Sequence, residues 1–485
     1  MSFRASLTIL LALGALAAWP APAAASWDQH AVFQDDHLLL ERGDAAREAT
    51  LDELAGLGVD VVKAQINWAA VAPGGRRRPA GFSASDPGQY PGFGPIDTLV
   101  RSVQARGMRV MLALGPPYPG WATARRGDRR GVDRPSPRKF GRFAEAAGRR
   151  YPGVDIWTLG NEPNHPGFLY PQATRRRVPF APHRYRALVR QGVAGLRRAG
   201  HAGHTILFGE LLPIGKERYF RKNTIKPLRF LREFFCLDSR WRPFRGRAAA
   251  RRGCRRYRRL TGLSGFAYHP YTRPNGPRGK EPTRDDATIG SLGRITRALD
   301  IARRKGRIAG PRLPIWNTEF GYQSNPPDRF QTRLARIPHF MAESELWISA
   351  GNRRVASFSQ YTMTDTALGG ARDAFGTWQG GLRFADGRPK QGVYDGYRLP
   401  LFVRLLGPSA VEIRGAARPG GAGAVVQLQE RRGGGPFRNL GAPLTVTNAR
   451  GYFRARVRIP SAAKRRYRYL SGGYESLVVK PVFRR

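Results

Sequence analysis

The chain has 485 residues, of which 83 are lysine or arginine and 35 are aspartate or glutamate, and its formal net charge is +48. This length allows one large domain with a substantial core and a smaller second domain. Arginine occurs along the whole chain, and its densest runs lack the interleaved aromatic residues on which single-stranded nucleic acid stacks. We therefore expect no nucleic-acid partner, and we keep adhesion to an anionic surface or polysaccharide as an alternative to charge that is simply solvated.

The first 25 residues have the pattern of a secretory signal peptide. Arg4 supplies the positive charge, residues 7–18 form a short apolar stretch, and three alanines at 23–25 form a small-residue cleavage site. The apolar stretch is too short to span a bilayer, and no later segment is long and apolar enough to anchor the chain. We therefore expect a secreted, extracellular protein that begins near Ser26 and has no integral membrane segment. We also expect it to be a monomer.

Cys236 and Cys254 are the two cysteines of the chain. In the oxidising environment of an exported protein such a pair tends to form a disulfide, here within an arginine-rich loop. Zinc is not expected, because two thiolates without nearby histidines leave the ion under-coordinated. The sequence therefore predicts a disulfide and no metal site.

Between residues 26 and 403, short apolar runs alternate with helical patterns. A weak first strand at residues 31–40 is followed by a helix at 44–57. Apolar residues at i, i+3, i+4 and i+7 predict a helix over residues 96–103, and apolar residues three or four positions apart predict another over residues 330–341. The clearer strands are apolar along most of their length, as strands covered on both faces should be. They lie at residues 59–68, 109–115, 155–161, 205–212, 265–271, 314–322 and 353–362.

A strand followed by a helix, repeated about eight times, is typical of a (β/α)8 barrel, also called a TIM barrel. A doubly wound open sheet has the same alternation and stays open as an alternative fold. The chain has no glycine-rich phosphate motif after its first strand, which disfavours a nucleotide-binding version of that sheet. We therefore predict an α/β fold in which residues 26–403 form the barrel.

The composition changes after the barrel. Residues 390–406 have room for the last barrel helix. From residue 407 to 485, short segments of alternating polar and apolar residues are separated by glycine-rich turns at 418–423 and 433–436. We predict a small all-β domain, similar to a sandwich, over residues 407–485. Packing on the barrel and binding of a polymer are both open as its role.

Two glutamates stand at the ends of predicted strands. Glu162 lies just past the fourth strand and Glu319 at the end of the seventh, and the carboxyl ends of barrel strands converge on one mouth. Hydrolysis of a glycosidic bond needs one carboxylic acid and one carboxylate on either side of that bond. Two neighbouring carboxylates repel each other, so one pKa rises and that group serves as the acid. Either glutamate alone suits an ordinary loop residue paired with arginine, whereas the two together predict a catalytic pair.

The motifs LGNEPN at 159–164 and NTEFGY at 317–322 resemble the acid/base and nucleophile strands of the retaining (β/α)8 glycoside hydrolases of clan A. The resemblance covers about residues 30–400. It implies that Glu162 is the general acid/base, that Glu319 is the nucleophile, and that no cofactor takes part. It also implies that Asn161 holds a sugar hydroxyl. In the motif YHPY at 268–271, it places His269 and Tyr271 beside the nucleophile, among the substrate-binding residues.

The sequence departs from clan A at two strands. The eighth strand carries Gln360 and Tyr361 where many members have a tryptophan, and the second ends in Asn67 and Trp68 rather than near an arginine. We therefore treat Asn67, Trp68 and Tyr361 as candidates for substrate binding. Aromatic rings stack on the apolar faces of sugars, which adds Trp378 to the candidates and makes Tyr118 and Trp121 weaker ones. By alternation from Glu319, Trp316 should be a core residue on the opposite face.

The sequence thus predicts a secreted retaining glycoside hydrolase that acts on a poly- or oligosaccharide by double displacement. An anionic polysaccharide would suit the net charge. The main alternative is a catalytically inactive carbohydrate-binding or cell-surface barrel, in which sugar binding survives the loss of either carboxylate. A basic adhesin that binds any polyanion is a third reading, and it predicts a steep dependence of binding on salt.

Overall fold

The computed structural model describes residues 28–74, 77–124, 130–279, 281–368 and 377–483. The predicted signal peptide at residues 1–25 lies outside these residues. In the described part of the chain, no helix is both long enough and apolar enough to cross a membrane.

Eight parallel strands of the described chain close into a barrel. Each strand pairs with its neighbours in parallel, and the last one pairs with the first, so the predicted barrel is confirmed and the open sheet is excluded. The barrel strands are β1 (His30–Gln34), β2 (Val61–Asn67), β3 (Arg109–Gly115), β4 (Ile156–Leu159), β5 (Thr205–Leu211), β6 (Gly265–Tyr268), β7 (Ile315–Asn317) and β10 (Val355–Tyr361). Two short strands outside the barrel, β8 (Ser324–Asn325) and β9 (Thr332–Arg333), pair with each other.

Most of the longer helices follow barrel strands and cover the outside of the sheet. In the described residues the α-helices are α1 (Asp44–Gly56), α2 (Trp68–Val71), α3 (Gly94–Ala105), α4 (Pro137–Arg150), α5 (Ala181–Arg198), α6 (Pro227–Phe234), α7 (Gly246–Arg251), α8 (Leu292–Arg304), α9 (Ile337–Glu343) and α10 (Val393–Arg398). π-helical turns span His37–Glu41 and Ser344–Ser349. The helix predicted over residues 96–103 is confirmed as the buried face of α3.

The helix predicted over residues 330–341 begins later than expected. Phe330 is 62% exposed and precedes β9, whereas α9 begins at Ile337 with Pro338 in its first turn. Proline is favoured at the start of a helix because its missing N–H has no partner there in any case. The apolar spacing was therefore right for the second half of the segment and wrong for the first.

The interior of the barrel changes from apolar to polar along the strands. Towards the N-terminal ends, an apolar cluster includes Val61, Ile156 and Trp316. Two residues further along their strands, the inward positions carry Lys63 and Thr158. Trp316 is a core residue, as predicted, but it lies inside the barrel rather than on the face opposite Glu319. Alternation does not reach Glu319 because β7 ends at Asn317.

The C-terminal region is all-β, as predicted. Its strands are β11 (Leu401–Gly407), β12 (Ala410–Ala416), β13 (Val425–Arg432), β14 (Arg438–Asn439), β15 (Leu444–Thr445), β16 (Tyr452–Arg458), β17 (Arg465–Ser471), β18 (Tyr474–Glu475) and β19 (Val482–Phe483). They form two sheets, in the orders β16-β12-β11-β19 and β14-β13-β17-β18, around a core of their own. Residues 390–406 are only partly helical: α10 ends before Pro400, which cannot continue a helix, and β11 follows at once.

The β domain packs against the barrel at the end opposite the mouth. Arg450 donates to Asp28 at 2.9 Å and lies 3.4 Å from Asp60, and these aspartates precede β1 and β2. Arg418 forms a buried ion pair with Glu345 on the barrel side. The packing role of this domain is therefore visible, and these ion pairs involve residues that precede barrel strands.

Candidate active site

The chain turns sharply at the end of β4. Gly160 has a φ of 92°, and a Cβ at this position would lie 2.9 Å from the ring of Tyr185, so a side chain does not fit. Glu162 itself has a φ of 39°, in the left-handed region that residues with a Cβ seldom adopt. Such conformations cluster at functional sites. Here the turn directs the Glu162 carboxylate into the barrel mouth.

Glu162 and Glu319 meet at this mouth. A carboxylate oxygen of each, together with a ring nitrogen of His269, lies within 4.8 Å of the others. Nδ1 of His269 is 3.1 Å from Glu162 and 3.3 Å from Glu319. The two carboxylate side chains are 12% and 8% exposed, so both are largely buried but reachable from the mouth. The structure thus brings together the two glutamates that the sequence singled out.

Glu319 is held by two further donors. Nζ of Lys63 donates to one of its oxygens at 3.2 Å, and the hydroxyl of Tyr271 donates to the other at 3.2 Å. Lys63 lies on β2 and is only 1% exposed. Because the two donors bind different oxygens, they fix the orientation of this carboxylate. The second strand has no arginine at its end. Lys63, further back on the same strand and inside the barrel, supplies a positive charge beside Glu319 instead.

Glu210 on β5 is a third carboxylate, which the sequence analysis did not identify. Its side chain is fully buried and accepts hydrogen bonds from Lys63 at 3.0 Å and Thr158 at 2.6 Å, and it contacts His269. A β-bulge between Gly209 and Leu211 turns it inward, as bulges near active sites do. The available signal was its position in FGEL, at the end of an apolar strand like Glu162 and Glu319.

Burial and charge together set the protonation of these groups. Burial raises the pKa of Glu162 above its ordinary value, although the hydrogen bond with His269 opposes this. Burial would lower the pKa of His269, but the charges of Glu319 and Glu210 raise it to about 9. Burial likewise opposes the ionised forms of Lys63 and Glu210, but their mutual attraction prevails, raising the lysine pKa and lowering that of the glutamate. Of the two carboxyl groups Glu162 and Glu210, Glu162 therefore keeps a proton more readily and can serve as an acid.

The carboxylates open onto a cavity of about 620 Å³. Among the predicted substrate-binding residues, Asn67, Asn161, Tyr271, Tyr361 and Trp378 line it. The ring of Trp378 lies 5.4 Å from that of Tyr361 and 5.1 Å from that of Tyr271, between ring centroids. The loop after β10 thus places a tryptophan at the mouth although the strand itself carries none. Asp36 and Glu41 also line the cavity and were missed, because the first strand was the weakest in the sequence.

Two of the residues predicted to bind substrate, Trp68 and His269, do not line the cavity. Trp68 is fully buried and stacks on Phe143, with Tyr118 and Trp121 packed against its edges. The reason is that β2 ends at Asn67 and the chain passes directly into α2, which carries the Trp68 ring into the helix layer. His269 has no exposed surface and does not line the cavity. It holds the carboxylates from beneath rather than touching a substrate.

Two groups of side chains in the described residues have metal-ligand spacing. One contains His183, Cys236 and Cys254, but the two cysteines form the predicted disulfide, with their Cα atoms 5.7 Å apart, and offer no thiolate. The other is Glu162, His269 and Glu319. With its pKa raised to about 9, His269 is protonated at neutral pH and presents N–H groups rather than a lone pair. This arrangement favours carboxylate chemistry over metal binding.

No protein-family model and no curated protein matches the chain. Among solved structures, it is similar to a β-glucosidase from Trichoderma harzianum, with 14% identity and a TM-score of 0.44, over 76% of this chain and 96% of that one. It is similar to a family 51 α-L-arabinofuranosidase from Bifidobacterium longum, with 12% identity and a TM-score of 0.43, over 92% and 96% of the two chains. It is also similar to a β-glucosidase from Exiguobacterium marinum, with 13% identity and a TM-score of 0.42, over 75% and 89%. All three are glycoside hydrolases.

Proposed function

We propose that the chain is a retaining glycoside hydrolase that cleaves O-glycosidic bonds of a poly- or oligosaccharide by double displacement. The observation that carries the proposal is the spacing of Glu162 and Glu319, whose oxygens approach within 4.8 Å at the mouth of the barrel. Retaining enzymes hold their two carboxyl groups about 5 Å apart, whereas inverting enzymes leave roughly 6.5–9.5 Å for a water molecule. The spacing therefore supports direct attack by a carboxylate.

In the first step, an oxygen of Glu319 attacks the anomeric carbon while the bond from that carbon to the leaving oxygen breaks. The leaving oxygen takes the proton of Glu162. Lys63 and Tyr271 donate to Glu319 and hold it oriented for the attack. The products of this step are a glycosyl ester of Glu319 and a free alcohol.

In the second step, the Glu162 carboxylate takes a proton from water. The water oxygen attacks the anomeric carbon, and the ester bond to Glu319 breaks. Two inversions leave the anomeric configuration unchanged. His269 contacts both carboxylates, so it can compensate the charge that moves between Glu162 and Glu319 during the cycle.

The test is hydrolysis of α- and β-aryl glycosides and of polysaccharides by the wild type, Glu162→Gln and Glu319→Gln. Circular dichroism checks folding, and proton NMR follows the anomer released first. We expect turnover with retention by the wild type and its loss in both variants, with azide restoring Glu162→Gln on an activated substrate. Glu475→Gln, in the β domain, is the matched control and should keep full activity. Binding of a sugar polymer by all proteins without any turnover would instead support the inactive carbohydrate-binding barrel.

We propose further that the protein acts outside the cell. The pattern of residues 1–25 supports export, and the Cys236–Cys254 disulfide is compatible with an oxidising compartment. Expression of the full chain in a secreting host, followed by N-terminal sequencing of protein from the medium, tests this. We expect a first residue near Ser26, and retention of the uncleaved chain inside the cells would contradict it.

A further inference from the structure

The charge of the catalytic cavity is opposite to that of the molecule. The chain carries a net charge of +48, yet no arginine, lysine or histidine is among the described residues that line the cavity. Beneath it, Lys63 and His269 are buried and already in contact with carboxylates. The charged lining residues are Asp36, Glu41, Glu162 and Glu319. Glu162 and Glu319 are assigned to catalysis, and Glu41 lies 3.0 Å from His37 outside the cavity lining. Asp36 is therefore the described lining carboxylate without a catalytic role or a basic partner.

Asp36 lies in the cavity wall directly after β1. Its carboxylate accepts hydrogen bonds from the backbone N–H of Gln65 at 2.9 Å and from Nε2 of Gln34 at 2.6 Å, and no described lysine or arginine forms an ion pair with it. Burial raises its pKa to about 6, so it is mostly ionised at neutral pH. The charged groups that act on Asp36 are Lys63, which is already paired with Glu210 and Glu319, and Glu319 itself. A second anion placed beside Asp36 would therefore meet repulsion from two carboxylates and no unpaired lysine or arginine among the described lining residues.

Four amide side chains line the cavity: Gln34, Gln65, Asn67 and Asn161. An amide both donates and accepts hydrogen bonds, so these residues suit the hydroxyl groups of a sugar. Neutral and acidic sugars both carry hydroxyl groups, so discrimination between them depends on the charge of Asp36.

We propose that this cavity takes an uncharged glycosyl residue and that Asp36 excludes uronic acid and sulfated sugars from it. The inference rests on the proposed glycosidase function and makes it more specific. The cavity and the basic outer surface would then prefer different ligands. Any attraction of that surface for an anionic polymer would act outside the position at which the bond is cleaved.

Arg42 provides a control for this proposal. It is an exposed side chain in the adjoining cavity, which shares Asp36 with the catalytic one. An acidic sugar whose carboxylate pointed towards the adjoining cavity would need a cation such as Arg42 there. Arg42→Gln therefore tests whether a cation at the rim, rather than Asp36, decides which sugars enter.

The experiment compares 4-methylumbelliferyl glucosides with glucuronides, and galactosides with galacturonides, in both anomeric configurations. At pH 7 we expect kcat/KM of the wild type to favour the neutral sugar by roughly a hundredfold. Asp36→Asn should reduce this preference at pH 7 and change it much less at pH 5, where the wild-type carboxyl is mostly protonated. Arg42→Gln should leave the preference unchanged. Equal or faster turnover of a uronide by the wild type, above all if Arg42→Gln abolishes it, would overturn the proposal.

If no glycoside is turned over by the folded wild type, the proposed function fails and the cavity is tested by binding. Calorimetric titration then compares cello-oligosaccharides with oligogalacturonates on the wild type and Asp36→Asn. Binding of the neutral oligosaccharide alone supports the assignment of Asp36. Binding of the oligogalacturonate, or of neither, contradicts it.

Discussion

Nζ of Lys63 lies 3.0 Å from a carboxylate oxygen of Glu210 inside the barrel, and neither side chain is more than 1% exposed. The two residues stand on β2 and β5 and meet across the interior. The same ammonium group contacts Glu319 at 3.2 Å. A buried ion pair of the fold is therefore in direct contact with the proposed nucleophile, so changes to it should affect both stability and catalysis.

Lys63→Met should destabilise the protein strongly. The change leaves the Glu210 and Glu319 carboxylates buried without their shared cation, and loss of one partner of a buried pair costs about 3–5 kcal/mol. Urea unfolding at pH 7 measures the free energy of unfolding. The control is Arg388→Gln, whose ion pair with Asp386 is 79% and 50% exposed and should contribute no more than about 1 kcal/mol. Equal stability of the two variants would show that the interior charges do not depend on Lys63.

The pH dependence of activity should report on Glu162. Burial raises the pKa of this group, and the first step requires its protonated form, so kcat/KM should fall on the alkaline side as the proton is lost. Glu162→Gln should remove that alkaline limb. It should also lower kcat by roughly 10²–10⁴-fold on glycosides with poor leaving groups, and by less on dinitrophenyl glycosides, which need no proton.

Measurement of kcat/KM from pH 4 to 9 for the wild type and Glu162→Gln decides this assignment. The same alkaline limb in both proteins would assign it to another group. An equal loss on good and poor leaving groups would argue that Glu162 is not the proton donor.

The stability of the protein should fall with alkaline pH because of His269. Its pKa is raised from 6.5 to about 9 in the folded protein, so the folded state binds this proton more tightly than the unfolded chain does. The stabilisation is complete below pH 6.5 and is lost as the pH rises through 9, on the order of 3 kcal/mol in all. Urea unfolding at intervals from pH 6 to 9.5 should therefore show a steeper decline for the wild type than for His269→Gln. Parallel curves would contradict a charged His269.

The barrel was predictable from sequence because of how its strands are buried. Each strand is covered by helices outside and by interior side chains inside, so β3 and β5 appear as nearly continuous apolar runs. Glu162 and Glu319 were found because their strands end beside them. These two signals depend on local sequence alone.

The support beneath the carboxylates was not predictable in the same way. Lys63 lies within an apolar strand, and its role depends on Glu210 and Glu319, which are 147 and 256 positions away in the chain. Glu210 points inward because of a bulge at Gly209, which breaks the alternation that a sequence reading assumes. The position of Trp68 was predicted wrongly because it depends on where β2 ends. The strand ends one residue before Trp68, so the ring belongs to α2 and lies in the helix layer instead of the barrel mouth.

The contact between the β domain and the barrel should contribute to stability and not to catalysis. Arg418 and Glu345 are each 4% exposed, and the hydroxyl of Tyr452 also donates to Glu345 at 2.6 Å. Glu345→Gln leaves the Arg418 guanidinium buried without a counter-ion, which should cost about 3 kcal/mol. The ion pairs of the interface involve residues that precede β1, β2 and β10, so kcat and KM of the folded variant should equal those of the wild type.

Thermal unfolding and steady-state kinetics on Glu345→Gln test this separation. Glu475→Gln is the matched control, because its carboxylate is 58% exposed and pairs with Arg468 at the surface of the same domain. Its free energy of unfolding should change by no more than about 1 kcal/mol. A variant of Glu345 that is as stable as this control would mean that the buried ion pair does not contribute to the stability of the protein. A change in KM at a temperature where Glu345→Gln is fully folded would instead connect the β domain to the cavity, which the position of its contacts argues against.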